Sequence, residues 1–224
     1  MKTYKAILPV FSLTILILSC TKEPPSIDGF NATIENTDVD AGTPVTFTIN
    51  KGDAEFITFY SGRPGSVYEN YPVDRGLQLD LQYSNTYSTS YNDQGQFTAS
   101  IVAISYGNWS EDSKESVRNF TINVTDNRTG ILSFKVKLTL TKEIRGIINE
   151  DAHTVTVTFP SGTTSLTQKS TLFVLESAGA KIYDSGGTEV LSGVKFDYTA
   201  EFTLKVVARG GAEQIWTIVT VVAP

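Results

Sequence analysis

The sequence holds few of the residues from which compact catalytic and metal sites are built. Of its 224 residues, one is cysteine and one is histidine. A single cysteine excludes a disulfide within the chain, and a Ser/His/Asp triad or a His-rich zinc site would rest on His153 alone. The 24 acidic residues leave glycoside hydrolysis by paired carboxylates open on composition, but no acidic pair stands out from the turns. We therefore expect a non-enzyme with no metal site and no cofactor.

Long apolar runs and positive charge are also scarce. After Cys20 no segment approaches the roughly 18 apolar residues that a membrane-spanning helix requires. The formal net charge is -6, and it becomes -8 once Lys2 and Lys5 are removed with the N-terminal segment discussed next. This acidic balance argues against nucleic acid and against an anionic lipid surface as partners.

The clearest apolar run lies at the N-terminus, where the only cysteine ends it. Residues 6–18 follow two lysines and have the length of a signal-peptide core. The sequence Ile-Leu-Ser-Cys at residues 17–20 resembles a bacterial lipobox, in which the bond before the cysteine is cut and its sulfur carries a diacylglycerol. An ordinary secretory signal and a buried packing cysteine are the alternatives. We expect lipidation of Cys20.

These features divide the N-terminal part into two segments. Residues 1–19 are predicted to be a lipoprotein signal peptide, and residues 20–27 a lipidated tether whose paired prolines, Pro24 and Pro25, disfavour helix. One acyl chain holds a protein only marginally and two or three hold it stably. The mature chain would thus be attached to the membrane without spanning it.

Apolar and polar residues alternate along most of the remaining chain, which is typical of half-buried strands. The alternating stretches are residues 45–49, 77–81, 97–104, 120–124, 132–138, 155–159 and 202–206. Turn-forming clusters separate them, and Arg-Gly-Gly-Ala at 209–212 predicts a tight hairpin into residues 214–222, which place Trp216 in a core strand. No segment has a convincing 3.6-residue period. The pattern predicts an all-β fold.

The polar sequence Asp-Asn-Arg-Thr-Gly at 126–130 is the best candidate for a domain boundary, because a fresh strand pattern follows it. We expect one immunoglobulin-type β-sandwich in residues 28–126 and a second in residues 127–224. Short strands at this spacing are typical of such sandwiches.

Several short motifs carry a resemblance to a known family. Gly-Thr-Pro-Val-Thr-Phe at 42–47, Phe-Ile-Thr-Phe-Tyr-Ser-Gly at 56–62 and Gly-Gln-Phe-Thr at 95–98 resemble the PKD-like immunoglobulin-type domains of Bacteroidetes surface lipoproteins. The second half resembles the small Ig-like domain that often follows, through residues 146–162 and the C-terminal hairpin. Where the ordinary PKD pattern has Trp-Asp-Phe-Gly-Asp-Gly, this chain has residues 59–65 instead, so no role of that acidic turn transfers.

The resemblance implies a lipoprotein of the outer membrane, exposed at the cell surface. It further implies a glycan-binding accessory role beside an outer-membrane importer, because proteins of this layout are often encoded with such importers. The alternative is a structural, scaffold or adhesin-type subunit that binds another outer-membrane protein through sheet edges or domain faces.

Aromatic residues cluster strongly between residues 60 and 109. The candidate ligand contacts in this cluster are Trp109, Tyr60, Tyr68, Tyr71, Tyr87, Tyr91 and the nearby Arg63, while Arg75 could contact a hydroxyl group. Flat side chains with a polar tip suit a sugar ring, which has an apolar face and a hydroxyl rim. The alternative is that these tyrosines are ordinary strand residues covering half-buried faces. We predict a carbohydrate site if several of the rings share one exposed face.

The lipid attachment can be tested directly. Replacing Cys20 by serine removes the only thiol, so the variant is expected to incorporate no radiolabelled palmitate and to leave the envelope fraction. The chain that retains Cys20 should be labelled and should sediment with envelopes. Envelope association of the serine variant would contradict the prediction.

Overall fold

The computed structural model of the chain describes residues 24–107 and 112–224. The predicted signal peptide, Cys20 and Trp109 lie outside these ranges. Within them the chain consists of strands and loops with a single 3₁₀ turn at Tyr68–Asn70, and no helix there is long and apolar enough to cross a membrane. The prediction of an all-β fold is confirmed.

The first domain is a sandwich of a three-stranded and a five-stranded sheet. Its strands are β1 Asn31–Ile34, β2 Asp38–Asp40, β3 Pro44–Asn50, β4 Phe56–Tyr60, β5 Leu77–Leu79, β6 Thr86–Ser90, β7 Gly95–Tyr106 and β8 Ser113–Thr125. The sheet orders are β1-β3-β6 and β2-β8-β7-β4-β5. Neighbouring strands are antiparallel, except that β2 runs parallel to β8.

The core of this sandwich follows from the period-two pattern. On β3 the residues Val45, Phe47 and Ile49 are buried, while the polar residues between them are exposed. Phe47 meets Phe59 of the opposite sheet with ring centroids 5.2 Å apart. Ring contacts of this kind add to the free energy gained by apolar burial, so the two sheets are held together across one continuous apolar layer.

The second domain is also a two-sheet sandwich. Its strands are β9 Ile131–Lys137, β10 Glu143–Arg145, β11 Ile147–Asn149, β12 Thr154–Phe159, β13 Lys169–Leu175, β14 Lys181–Tyr183, β15 Lys195–Phe196, β16 Phe202–Val207 and β17 Glu213–Val222. The sheet orders are β10-β9-β13-β15 and β11-β12-β17-β16-β14. The predicted hairpin joins β16 to β17, and Trp216 is buried with its indole N–H donating to the carbonyl of Thr129 at 3.0 Å.

One strand departs from the predicted alternation. The pattern over residues 132–138 places Leu132 on the buried face, but Leu132 is exposed and Ile131 is buried. The register between β13 and β9 shifts at Val174 and Leu175, where Leu175 pairs with Ile131. A β-bulge of this kind inserts one residue and reverses which neighbour faces the core.

The N-terminal segment lies against the end of the first domain that is farthest from the second. Pro25 packs close to Gly107, the hydroxyl of Ser26 donates to Asp53 at 3.0 Å, and Ile27 packs on the core. Strand β7 runs from Gly95, which pairs with Val124 near the domain junction, to Tyr106 at this far end. The chain therefore enters the first domain opposite its exit.

The two domains meet at a short connection around Asp126. The strand β8 ends at Thr125 and β9 begins at Ile131. The carboxylate of Asp126 accepts hydrogen bonds from Arg128 at 2.8 and 2.9 Å and from the hydroxyl of Ser177, in the second domain, at 2.7 Å. Arg128 in turn donates to the carbonyl of Asn92 in the first domain at 2.7 Å. One nearly buried carboxylate thus links the connection to both sandwiches.

These bonds shift the acidity of Asp126. The hydrogen bonds from the Arg128 side chain, with that from Ser177, outweigh the effect of burial and lower the pKa of Asp126 from 3.8 to about 2. A carboxyl group with a depressed pKa in the folded state stabilises the fold above its unfolded pKa, and that contribution is lost as the pH falls towards the folded value.

Replacing Asp126 by asparagine is expected to lower the free energy of unfolding at pH 7 by about 1–2 kcal/mol, because the charged acceptor is lost. The difference from the unmodified protein should shrink between pH 4 and pH 2, where Asp126 itself becomes protonated. Urea denaturation at several pH values measures this. A difference that stays constant down to pH 2 would contradict the assignment.

Candidate functional site

The five-stranded sheet of the first domain is apolar on both faces at its central strands. On β4, Ile57 and Phe59 face the sandwich core, while Phe56 and Tyr60 line a depression on the opposite face. On β7, Ile101 faces the core and is flanked by residues that turn outward. Since side chains alternate along a strand, this sheet presents a second apolar surface.

The outward residues of β7 extend that surface towards the end of the strand. Val102, Ile104 and Tyr106 line the same depression as Phe56 and Tyr60. Tyr106 and Phe56 meet edge to face with ring centroids 5.9 Å apart. Aromatic and branched side chains on one sheet face are therefore gathered beside the strand end where the N-terminal segment packs.

A loop of residues 61–76 folds back over part of this outer face. Gly62 has a φ of +74°, and a Cβ there would lie 2.4 Å from the carbonyl oxygen of Thr98, so the loop contacts β7 backbone directly. A Cβ on Gly76 would lie 2.4 Å from the Thr58 side chain. Only glycine allows both ends of the loop to approach the sheet this closely.

Asp74 fixes the conformation of the loop from within. Its carboxylate is almost fully buried and accepts hydrogen bonds from the amide of Val67 at 3.1 Å and the side-chain amide of Asn70 at 3.2 Å. These bonds hold the 3₁₀ turn Tyr68–Asn70 and the Tyr71–Pro72 cis peptide that follows it. The loop thereby becomes one wall of the depression.

The resulting aromatic groove has a volume of about 920 Å³. Its aromatic lining residues are Phe56, Tyr60, Tyr68, Tyr71 and Tyr106, and its side chains able to form hydrogen bonds to a ligand include Glu69, Arg75, Gln78 and Glu115. The aromatic rings and the polar side chains face one cavity. This combination fits a ligand with apolar faces and a hydroxyl-rich edge.

The rings differ in how far they are exposed. Tyr60 is 5% exposed and forms part of the floor, whereas Tyr71 is 67% exposed at the rim. Tyr60 and Tyr68 meet edge to face at 5.4 Å, and the Tyr68 hydroxyl donates to Glu115 of β8. Tyr68 is thus held in place, while Tyr71 offers the largest free aromatic surface.

Electrostatics keep the floor tyrosine neutral. Burial, followed by the neighbouring Tyr71 and Glu115, raises the pKa of Tyr60 above its ordinary value of 10.0. The Tyr60 hydroxyl is therefore protonated at neutral pH and can donate or accept a hydrogen bond.

The predicted ligand contacts separate into two groups. Tyr60, Tyr68 and Tyr71 share the groove. Tyr87 is half-buried against Phe59 on the sandwich core, with ring centroids 4.7 Å apart. Trp109 lies outside the described residues, although Tyr106 of the groove precedes it by three positions in the sequence.

Tyr91 and Arg63 have structural roles instead. Tyr91 is fully buried, its hydroxyl donates to the carbonyl of Ser61 at 3.0 Å, and burial raises its pKa to about 12. The Arg63 guanidinium lies 4.4 Å above the Tyr91 ring and donates to the carbonyl of Ser90. Both residues anchor the 61–76 loop. The fully buried ring of Tyr91 has no surface to offer a ligand, whereas ligand contact by Arg63 and Tyr87, which do not line the groove, stays a prediction.

The predicted ligand contacts did not include Phe56, Tyr106 or Glu115, which line the groove. A signal for Phe56 was present in the sequence Phe-Ile-Thr-Phe-Tyr at 56–60, where both alternating sets contain aromatic residues. Such a strand needs apolar cover on both faces, which points to an outer-face groove. Glu115 had no comparable signal, because its position depends on the pairing of β8 with β7.

Residues 24–107 and 112–224 contain no group of three or more His, Cys, Asp or Glu side chains that could hold a metal ion. The carboxylates of Asp38 and Asp40 accept hydrogen bonds from Asn123 and Asn127, both at 2.8 Å. His153 packs edge to face on Trp216, with ring centroids 5.4 Å apart.

Fold and groove together define a tandem β-sandwich protein with an aromatic surface site on its first domain. The chain belongs to the family described as Domain of unknown function (DUF5017), which matches residues 19–149. Residues 131–221 match a second family, described as SGBP, N-terminal. The two matches overlap over β9 to β11. No curated protein matches the sequence significantly.

Three solved structures are similar to this chain at low sequence identity. A secreted protein of Bacteroides fragilis is 17% identical over 44% of this chain and 98% of its own, with a TM-score of 0.34. Fibronectin(III)-like modules of Clostridium thermocellum CbhA are 13% identical over 86% of this chain and 95% of their own, with a TM-score of 0.30. A chimeric titin Z1Z2 tandem is 11% identical over 90% of this chain and 100% of its own, with a TM-score of 0.24.

The wall of the groove should depend on Asp74. Replacing Asp74 by alanine leaves the Val67 amide and the Asn70 side chain without their acceptor, at a cost of about 1–3 kcal/mol. We expect amide hydrogen exchange in residues 61–76 to become faster. Asp80→Ala is a matched control, because Asp80 also accepts a hydrogen bond from a backbone amide. That bond, from Gln82 at 3.0 Å, lies outside the loop. Unchanged exchange in the Asp74 variant would contradict this role.

Proposed function

We propose that the chain is a non-catalytic accessory protein that binds a glycan in the aromatic groove of its first domain. The observation that carries the proposal is the gathering of Phe56, Tyr60, Tyr68, Tyr71 and Tyr106 around one open cavity. A pyranose ring presents C–H groups on its faces, and an aromatic ring can cover such a face while its polar neighbours bind the hydroxyl groups.

The polar side chains of the groove suit this ligand class. Arg75 and Gln78 donate hydrogen bonds, and the carboxylates of Glu69 and Glu115 accept them. A neutral sugar hydroxyl can act in both ways, so one ligand type satisfies both kinds of group. The mixture of one arginine with two carboxylates does not favour a strongly anionic ligand.

One of the two family matches, which covers the second domain, supports the glycan-binding type of protein. The match of residues 131–221 to the SGBP N-terminal family favours a glycan-binding accessory type of protein with a role at the cell surface. On this match and the lipobox-like residues 17–20, we propose that lipid on Cys20 attaches the protein to the outer membrane. The protein then faces the exterior, beside an importer that takes up the bound polysaccharide.

A second candidate function is protein docking through the second domain. Ile147 on β11 and Ile215 and Val221 on β17 are exposed on its five-stranded sheet. The register places Ile147 beside Thr156, and Thr156 beside Val219, on one face. Exposed branched side chains on a sheet face fit a scaffold or adhesin-type subunit that binds an outer-membrane protein.

The glycan proposal is tested by affinity electrophoresis of the soluble chain in gels containing amylopectin, xylan, laminarin, galactomannan or dextran. At least one polysaccharide should retard the protein. Tyr71→Ala should raise the dissociation constant derived from the retardation about tenfold, because a largely exposed ring of the groove is lost. Tyr83→Ala is the matched control, since Tyr83 is 89% exposed and lies outside the groove.

Two results would argue against the proposal. Equal retardation of the Tyr71 and Tyr83 variants would remove the groove as the site. No retardation by any polysaccharide, together with a protein partner that co-purifies with the chain and is lost in an Ile215→Asp variant, would favour docking through the second domain instead.

A further inference from the structure

A second depression adjoins the aromatic groove at the edge of the same sheet. It has a volume of about 680 Å³ and lies where β5 leaves the sheet and the chain enters β4. Its lining residues are Lys51, Glu55, Phe56, Ile57, Gln78, Leu79, Asp80, Leu81 and Gln82. Its polar and charged lining residues are Lys51, Glu55, Gln78, Asp80 and Gln82, and the others are apolar residues of the sheet edge.

Two residues belong to both cavities. Phe56 and Gln78 line the aromatic groove and also the second depression. Both are exposed, Phe56 by 40%, and they lie on the paired strands β4 and β5 at the sheet edge. The two depressions therefore adjoin at the paired strands β4 and β5, where Phe56 and Gln78 lie.

The dimensions favour an extended ligand. Within the groove, the strand from Tyr60 to Phe56 alone spans about 13 Å at roughly 3.3 Å per residue, and the second depression continues beyond Phe56 to Lys51 and Gln82. Phe56 lines both depressions and is 40% exposed, so a ligand longer than the groove can continue past it.

We infer that the ligand is a linear glycan bound along its length, with successive sugar units in the aromatic groove and in the second depression. This inference rests on the proposed function and adds the ligand class to it. The aromatic groove holds sugar faces, and Phe56 contacts the sugar unit where the two depressions adjoin. The polar side chains around Gln82 bind hydroxyl groups of the following units. Affinity consequently depends on chain length beyond what the first groove holds.

The test is isothermal titration calorimetry with malto-, xylo-, laminari-, manno- and isomalto-oligosaccharides, from disaccharide to octasaccharide, using the series that matches the retarding polysaccharide. Affinity should increase about tenfold or more between the trisaccharide and the hexasaccharide. Gln82→Ala should reduce the affinity for the hexasaccharide and leave that for the trisaccharide unchanged. Phe56→Ala should weaken binding of both.

Controls separate a local effect from a folding effect. Gln214→Ala removes the same side chain from β17 of the second domain and should leave every affinity unchanged. The melting temperature of each variant shows whether it remains folded, and the Gln82 variant should melt with the unmodified protein because its side chain is exposed.

The outcomes distinguish the two proposals. Retardation by a polysaccharide with affinity that is constant beyond the trisaccharide, or a Gln82 variant that weakens short and long chains equally, would overturn the extended-ligand inference and leave glycan binding intact. Absence of binding to every polysaccharide would overturn both. Length-dependent affinity lost specifically in the Gln82 variant would support both.

Discussion

The structure of the first domain depends on one constraint, which is that the strands β4 and β7 are apolar on both faces. The core face is covered by the three-stranded sheet through contacts such as that of Phe47 with Phe59. Within the described residues 24–107 and 112–224, the 61–76 loop, held by buried Asp74, covers part of the outer face. Apolar surface left in water is unfavourable unless a ligand covers it. The groove is the uncovered part of this second apolar layer.

Much of the sandwich architecture could be predicted because it depends on local alternation. The buried set on β3 and the core position of Trp216 followed from residues adjacent in sequence. Leu132 was misassigned because the bulge beside it depends on pairing with β13, a strand some forty residues away. Register shifts of this kind leave no mark in the strand's own pattern.

The candidate site was harder to predict, and for a physical reason. Tyr71 and Tyr91 are the same residue type in similarly polar surroundings in the sequence, yet one is 67% exposed and the other fully buried. Their difference arises from the path of the 61–76 loop. Asp74 fixes this path by contacts within the loop, and Arg63 fixes it by packing on Tyr91, which is distant in sequence. Composition located the aromatic cluster, but only the fold could divide it between groove and core.

The packing of the N-terminal segment beside Gly107 determines how the molecule would stand on a bilayer. Cys20 precedes Pro24 by four residues, a reach of at most about 14 Å, so an acylated Cys20 would keep the Tyr106 end of the first sandwich low over the lipid. The junction at Asp126, and with it the second sandwich, would stand uppermost.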